Sequence, residues 1–124
     1  MTASKNHFDV LMIMQHPPLA NSMPREGLDM ALVAATFGQQ VALLFAGEGI
    51  FQLLPGQAPE QLALKGTHRM LEALPLYDIE SVFVSEPDLS NYRLDAQQLL
   101  LSPQPKSALE IQHLIASSRT VFSF

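Results

Sequence analysis

The chain holds four histidines, twelve carboxylates and six methionines, and no cysteine. Without a thiol it cannot form a thiolate nucleophile, a persulfide or a disulfide, so any such chemistry must belong to a partner. His7, His16, His68 and His113 never fall at metal-ligand spacing. His16 alone follows a strand-like run at a functional position. It could serve as a general base, but no nucleophile stands beside it in sequence, and a structural or interface role is preferred. Glu26 and Asp29 lie three apart on a helical stretch and can share a face. Paired carboxylates do acid–base work, yet these two also suit the positive start of the helix, which is the favoured reading. Ser85 sits just past a strand, a place for a nucleophile, but lacks the flanking glycines of a nucleophile elbow. Tyr77-Asp78 reads as a turn in which Asp78 bonds nearby backbone. Gly47-Glu48-Gly49 begins like a dinucleotide fingerprint without its third glycine or its helix. Met12, Met14, Met30 and Met70 fall in strands and helices, where core filling outweighs a soft-metal site. No catalytic residue, metal or cofactor is expected.

The elements that would position these residues are legible from periodicity. Phe8 to Met14 is a nearly continuous apolar run, as in a strand buried on both faces. Gln15-His16-Pro17-Pro18 breaks it. A helix follows, capped by Asn21 or Ser22, with Pro24 in its first turn. Leu28, Ala31, Leu32 and Ala35 make one apolar face, and Gly38 suits a left-handed terminus. Val41 to Ala46 is a second buried strand. Pro59 opens a helical stretch whose firmer part is Thr67 to Leu74, stopped by Pro75. Val82-Phe83-Val84 predicts a third strand and Leu99-Leu100-Leu101 a fourth, with Glu86 to Leu94 a polar loop between them. Ser107 and Glu110 have capping-box spacing ahead of a helix carrying Ala108, Ile111 and Ile115 on one face. Arg119 to Phe124 closes as a fifth strand. Alternating strands and helices imply parallel pairing through right-handed crossovers. The expected fold is one α/β domain over residues 1–124, three α/β/α layers around a mainly parallel five-stranded sheet.

The bulk numbers bound the partners. Seven Lys and Arg face twelve Asp and Glu, for a net charge of −5, and the cations are scattered. Direct binding to nucleic acid draws on clustered cations and is not expected. No apolar run approaches a membrane span. The first seven residues lack the apolar core of a signal peptide, so the cytoplasm is the expected location. Charged residues make up 15% of the chain, against roughly 25% in ordinary soluble domains. That deficit points to faces covered by other subunits.

The segment Gly47-Glu48-Gly49-Ile50-Phe51-Gln52-Leu53-Leu54-Pro55-Gly56-Gln57 concentrates this signal. Loops are normally polar. An apolar one must fold back on its own core or be covered by another chain. Ile50, Phe51, Leu53 and Leu54 are therefore candidate subunit-interface residues, the alternative being that two of them seal the end of the sheet.

Three segments together carry a family resemblance: Arg25-Glu26-Gly27-Leu28-Asp29-Met30-Ala31-Leu32, Gly49-Ile50-Phe51-Gln52-Leu53-Leu54-Pro55-Gly56-Gln57 and Leu76-Tyr77-Asp78-Ile79-Glu80. The chain resembles the TusC/DsrF branch of the DsrE/DsrF/DsrH-like sulfur-relay family over nearly its whole length. The resemblance implies a subunit that assembles with TusB-like and TusD-like chains as a dimer of heterotrimers. Such a complex passes persulfide sulfur from TusA to TusE, for 2-thiolation of the wobble uridine of tRNA. It suggests the strand order 4-3-2-1-5. In the family the carrier is a cysteine of the TusD-like subunit just after the third strand; the comparable region here is Val84-Ser85-Glu86, and a hydroxyl cannot hold a persulfide. The implied role is accessory. Three other readings stay open: a DsrF-type subunit of dissimilatory sulfur oxidation, a homo-oligomeric ligand-binding domain, and a small hydrolase or transferase using Ser85 or His16.

Overall fold

In a computed structural model, residues 8–18, 21–55 and 62–124 are described. Five strands alternate with four helices: β1 Val10–Met14, α1 Met23–Thr36, β2 Val41–Phe45, α2 Leu62–Ala73, β3 Ser81–Ser85, α3 Glu86–Tyr92, β4 Gln104–Lys106, α4 Ala108–Ser117 and β5 Thr120–Ser123. Every pairing is parallel, in the order β4-β3-β2-β1-β5. The fold is a three-layer α/β/α domain. Leu28 and Ala31 of α1, Leu71 of α2 and Leu89 of α3 pack with Met12, Met14, Leu43, Phe45 and Val84 on one face of the sheet. Leu114 of α4 packs with Leu11, Ile13, Leu44 and Phe83 on the other. β1 and β2 are buried along their whole length, which is why their sequences are continuously apolar rather than alternating.

The helix ends follow local chemistry. At α1, Ser22 occupies the cap position but its hydroxyl bonds the Glu26 carboxylate, while Asn21 Oδ1 accepts the Met23 amide at 2.8 Å. Gly38, at φ +81°, ends the helix in the left-handed region. At α4 the capping box is complete: Ser107 Oγ accepts the Glu110 amide at 3.2 Å, and Glu110 Oε1 accepts the Ser107 amide at 2.8 Å.

Three sequence expectations are corrected. Glu86 to Leu94 is not a loop; its first seven residues form α3. Ser85 accepts the Asp88 amide at 3.4 Å, Pro87 lies in the first turn, Glu86 and Asp88 face the positive end, and Leu89 anchors the helix in the core. Leu99-Leu100-Leu101 is not a strand. Leu99 is buried and Leu101 and Ser102 adopt φ +70° and +44°, so the chain turns there. β4 lies three residues later, where Pro105 is tolerated because the strand is at a sheet edge. The helix start at Pro59 lies outside the described residues, as does His7. Met30 is exposed rather than core filling.

Candidate functional site at the carboxyl end of the sheet

In an open parallel sheet, ligands and partners meet the carboxyl ends of the strands. Here β1 runs into His16, β2 into Gly47–Leu53, and β3 into Ser85. The apolar segment Gly47–Leu53 is a 3₁₀ helix, not an extended loop. With three residues per turn, side chains three apart share a face. Ile50 and Leu53 are both 0% exposed and belong to the core cluster of this chain. Phe51 and Leu54, on the other face, are half-buried. Phe51 stacks on Tyr92 of α3 with ring centroids 4.7 Å apart, a geometry that adds about 0.5–1.5 kcal/mol beyond burial. The four apolar residues therefore divide: Ile50 and Leu53 seal the end of the sheet, while Phe51 and Leu54 stay partly exposed, Leu54 also packing against the core cluster.

Gly49 lets the 3₁₀ helix sit against β1. A Cβ built on it would lie 1.9 Å from the Met14 carbonyl oxygen, which already accepts the Ala46 amide at 3.0 Å. Gly27 has a similar task on α1, where a Cβ would come within 2.8 Å of the Met14 sulfur and 3.0 Å of Phe124. Gln52 is fully buried, and its Nε2 donates to the His16 carbonyl at 2.8 Å. Gly47 donates its amide to Asp88 Oδ2 at 2.8 Å, tying the segment to α3.

The candidate chemical groups are placed by these ties rather than brought together for catalysis. Ser85 is buried and its hydroxyl is engaged at the α3 cap. Among the described residues no hydrogen bond joins it to His16, whose Nδ1 is buried without a partner, as is Gln52 Oε1. Glu26 and Asp29 are both exposed on α1. No group of three or more metal-ligating side chains occurs among the described residues. No described helix is long and apolar enough to cross a membrane.

Sequence reasoning missed a second apolar surface. Met30 and Val33 of α1, Phe37 just after it, and Phe122 of β5 are exposed together around a shallow groove of about 330 Å³. Positions 30, 33 and 37 recur at helical spacing, a signal present in the sequence beside the core face. Leu76 and Tyr77 after α2, and Leu109 and Ile115 on α4, are also exposed.

The chain is a thiol-free α/β domain whose strand ends are closed by core packing and capping bonds. The profile of the DsrE/DsrF-like family matches residues 9–124, and the chain belongs to that family. Its relatives place it in the TusC-like branch. It is 31% identical over 107 residues to a TusC homolog of Vibrio vulnificus, covering 86% of this chain and 91% of the relative. It is 36% identical over 93 residues to a TusC homolog of Pseudomonas aeruginosa, covering 75% and 78%. Protein TusC of Buchnera aphidicola is 28% identical over 116 residues, covering 93% and 98%. The crystal structure of the ychN protein from E. coli shares the fold, with a TM-score of 0.78 over 94% of this chain and 99% of that one, at 16% identity. Two of the three resembling segments now have physical roles. Gly27 and Gly49 admit close packing, Ile50 and Leu53 fill the core, and Gln52 holds the turn after β1.

Proposed function

We propose that this chain is a non-catalytic subunit of a TusBCD-like sulfur-relay complex. The complex acts in the cytoplasm, receives persulfide sulfur from TusA and passes it to TusE for 2-thiolation of tRNA wobble uridine. The observation that carries this reading is the near full-length similarity to TusC homologs in a chain with no cysteine. The sulfur moves on a thiol of a TusD-like subunit, while this chain supplies surface. Phe51 and Leu54, at the carboxyl end of the sheet, are the proposed contacts with a TusB-like or TusD-like chain. Ile50 and Leu53 support them from inside and offer no surface of their own.

Co-expression with tagged TusB-like and TusD-like chains is expected to recover a defined heteromeric complex. Phe51→Ser combined with Leu54→Ser is expected to reduce that recovery at least tenfold with the fold of the chain retained. Recovery at the wild-type level would remove these residues from the interface. A chain that ignores both partners would remove the relay reading itself.

A further inference from the structure

The two edges of the sheet are built differently. β4 is three residues long and carries Pro105, with Pro103 before it and Lys106 at its end. Short edges, prolines and lysines are the usual devices that keep an edge from pairing with another chain. β5, at the opposite edge, reads Thr120-Val121-Phe122-Ser123, with no proline and no charge. Phe124 donates its amide to Ile13 and accepts that of Gln15, both at 2.8 Å. By strand alternation the amide groups of Thr120 and Phe122 also face β1, and those of Val121 and Ser123 face outward. Among the described residues no strand pairs with them. Beside this open edge, on the α1 face, lie Phe37, Val33, Met30 and Phe122, exposed by 81%, 51%, 40% and 36%.

We infer that β5 pairs antiparallel with β5 of a second copy of this chain, across a twofold axis at Phe122. Self-complementarity selects the occupant. In this register Val121 of each copy opposes Ser123 of the other, and the two open donors and two open acceptors of each edge are satisfied by the same groups of its mate. Each contact occurs twice, as an isologous interface requires. Phe122 meets Phe122 as a close, non-hydrogen-bonded pair on the α1 face. The strand brings no like charges into opposition. The four exposed side chains supply on the order of 400 Å² of apolar surface per copy, within the range of patches that mark interaction sites. A stable interface takes roughly 800 Å² per partner, so this patch accounts for about half and the proposed strand pairing must supply the rest. The β5 edge is separate from Phe51 and Leu54, so it leaves the surface proposed for sister subunits open.

Single-cysteine variants test this directly, because the chain has no cysteine of its own. Under mild oxidation Phe122→Cys is expected to form a covalent dimer, its Cα atoms about 4.5 Å apart in a non-hydrogen-bonded pair, within disulfide reach. Thr120→Cys, on the same strand and face, opposes Phe124 and is expected to cross-link at least tenfold more slowly. In sedimentation the wild-type chain runs as a dimer, and Phe37→Asp and Val121→Pro each shift it to monomer with unchanged circular dichroism. Val121→Pro removes only an outward-facing N–H, so it spares the β1 ladder. Equal cross-linking at positions 120 and 122 overturns the proposal, as does a wild-type monomer. Protection of Phe122→Cys by a TusB-like or TusD-like chain, without copy-to-copy cross-links, overturns it too and assigns the edge to that partner. Capture of those chains by Phe122→Asp reads the relay function separately, since it persists if only the dimer is wrong.

Discussion

Gly49→Ala is the substitution the structure constrains most tightly. Its new methyl carbon would stand 1.9 Å from the Met14 oxygen and 2.6 Å from the Met14 carbonyl carbon. Ordinary contact requires a retreat of roughly 1.5 Å. Both obstacles are backbone, so no rotamer change relieves them. Overpacking of this kind costs about 1–3 kcal/mol. Displacing the Met14 carbonyl also weakens its bond from the Ala46 amide, about 1 kcal/mol more. A total of about 2–4 kcal/mol corresponds to a fall in Tm of about 6–15 °C in a domain of this size. Gly27→Ala serves as the internal control. Its Cβ meets the flexible end of Met14 at 2.8 Å and Phe124 at 3.0 Å, and helix propensity returns about 1 kcal/mol, so the net loss is expected below about 2 kcal/mol. Gly38→Ala meets nothing within 4 Å and suffers only from its φ of +81°, about 1 kcal/mol. Thermal and urea unfolding followed by circular dichroism should therefore rank position 49 well ahead of positions 27 and 38. A Gly49→Ala chain melting within 3 °C of wild type, a shift of less than about 1 kcal/mol, would mean that the 3₁₀ helix is not seated on β1, and the division of its apolar residues would fall with it.

Other outcomes follow from the same geometry. Leu53→Ala should destabilise the chain by about 2–5 kcal/mol in urea titration, more than Leu54→Ala, since only Leu53 is fully buried. Ser85→Ala should cost about 1 kcal/mol as a lost helix cap and leave sulfur transfer through a reconstituted complex unchanged; abolished transfer would restore a chemical role for that hydroxyl. At Glu110 the Ser107 amide, aided by the Ser107 hydroxyl and Lys106, holds the carboxyl below the ordinary carboxylate range against a desolvation effect that raises it. Its charged form is thus favoured by folding, so its contribution is present at neutral pH and is lost as pH falls through the folded-state value. Urea midpoints of wild type and Glu110→Gln should converge on acidification, and a constant gap would show that the carboxylate charge is not what stabilises the cap.

Much of this architecture was readable in the sequence because single elements announce themselves locally. The apolar runs of β1 and β2 need no partner to be recognised, and the Ser107–Glu110 spacing specifies its own hydrogen bonds. The elements that were missed depend on context. α3 is seven residues long and mostly polar, so its cap outweighs a periodicity too short to see. The leucines at 99 to 101 have strand character, yet only Leu99 has a core to enter, and the positive φ at Leu101 redirects the chain. The apolar segment was recognised as exceptional and its three-residue repeat was present in the sequence. Naming all four as interface candidates, with the alternative that two of them seal the sheet end, left open which two; the 3₁₀ helix turns Ile50 and Leu53 inward. The exposed groove at α1 and β5 depends on the spatial meeting of a helix face with an edge strand, which neither the 30, 33, 37 spacing nor the implied strand order shows by itself.

The same packing bears on what the carboxyl end of this sheet can do. The strand ends are tied to the rest of the chain, at Ser85 through the side chain and at His16 and Gly47 through the backbone. The His16 carbonyl receives Gln52, the Gly47 amide is committed to Asp88, and the Ser85 hydroxyl caps α3. These ties hold the 3₁₀ helix in place, and under the proposed reading Phe51 and Leu54 would lose little further conformational entropy on docking. A carrier subunit has the opposite need, because its thiol must remain accessible and mobile enough to meet donor and acceptor in turn. Closing the carboxyl end of the sheet with core residues is therefore compatible with a subunit that positions a carrier, and incompatible with being one.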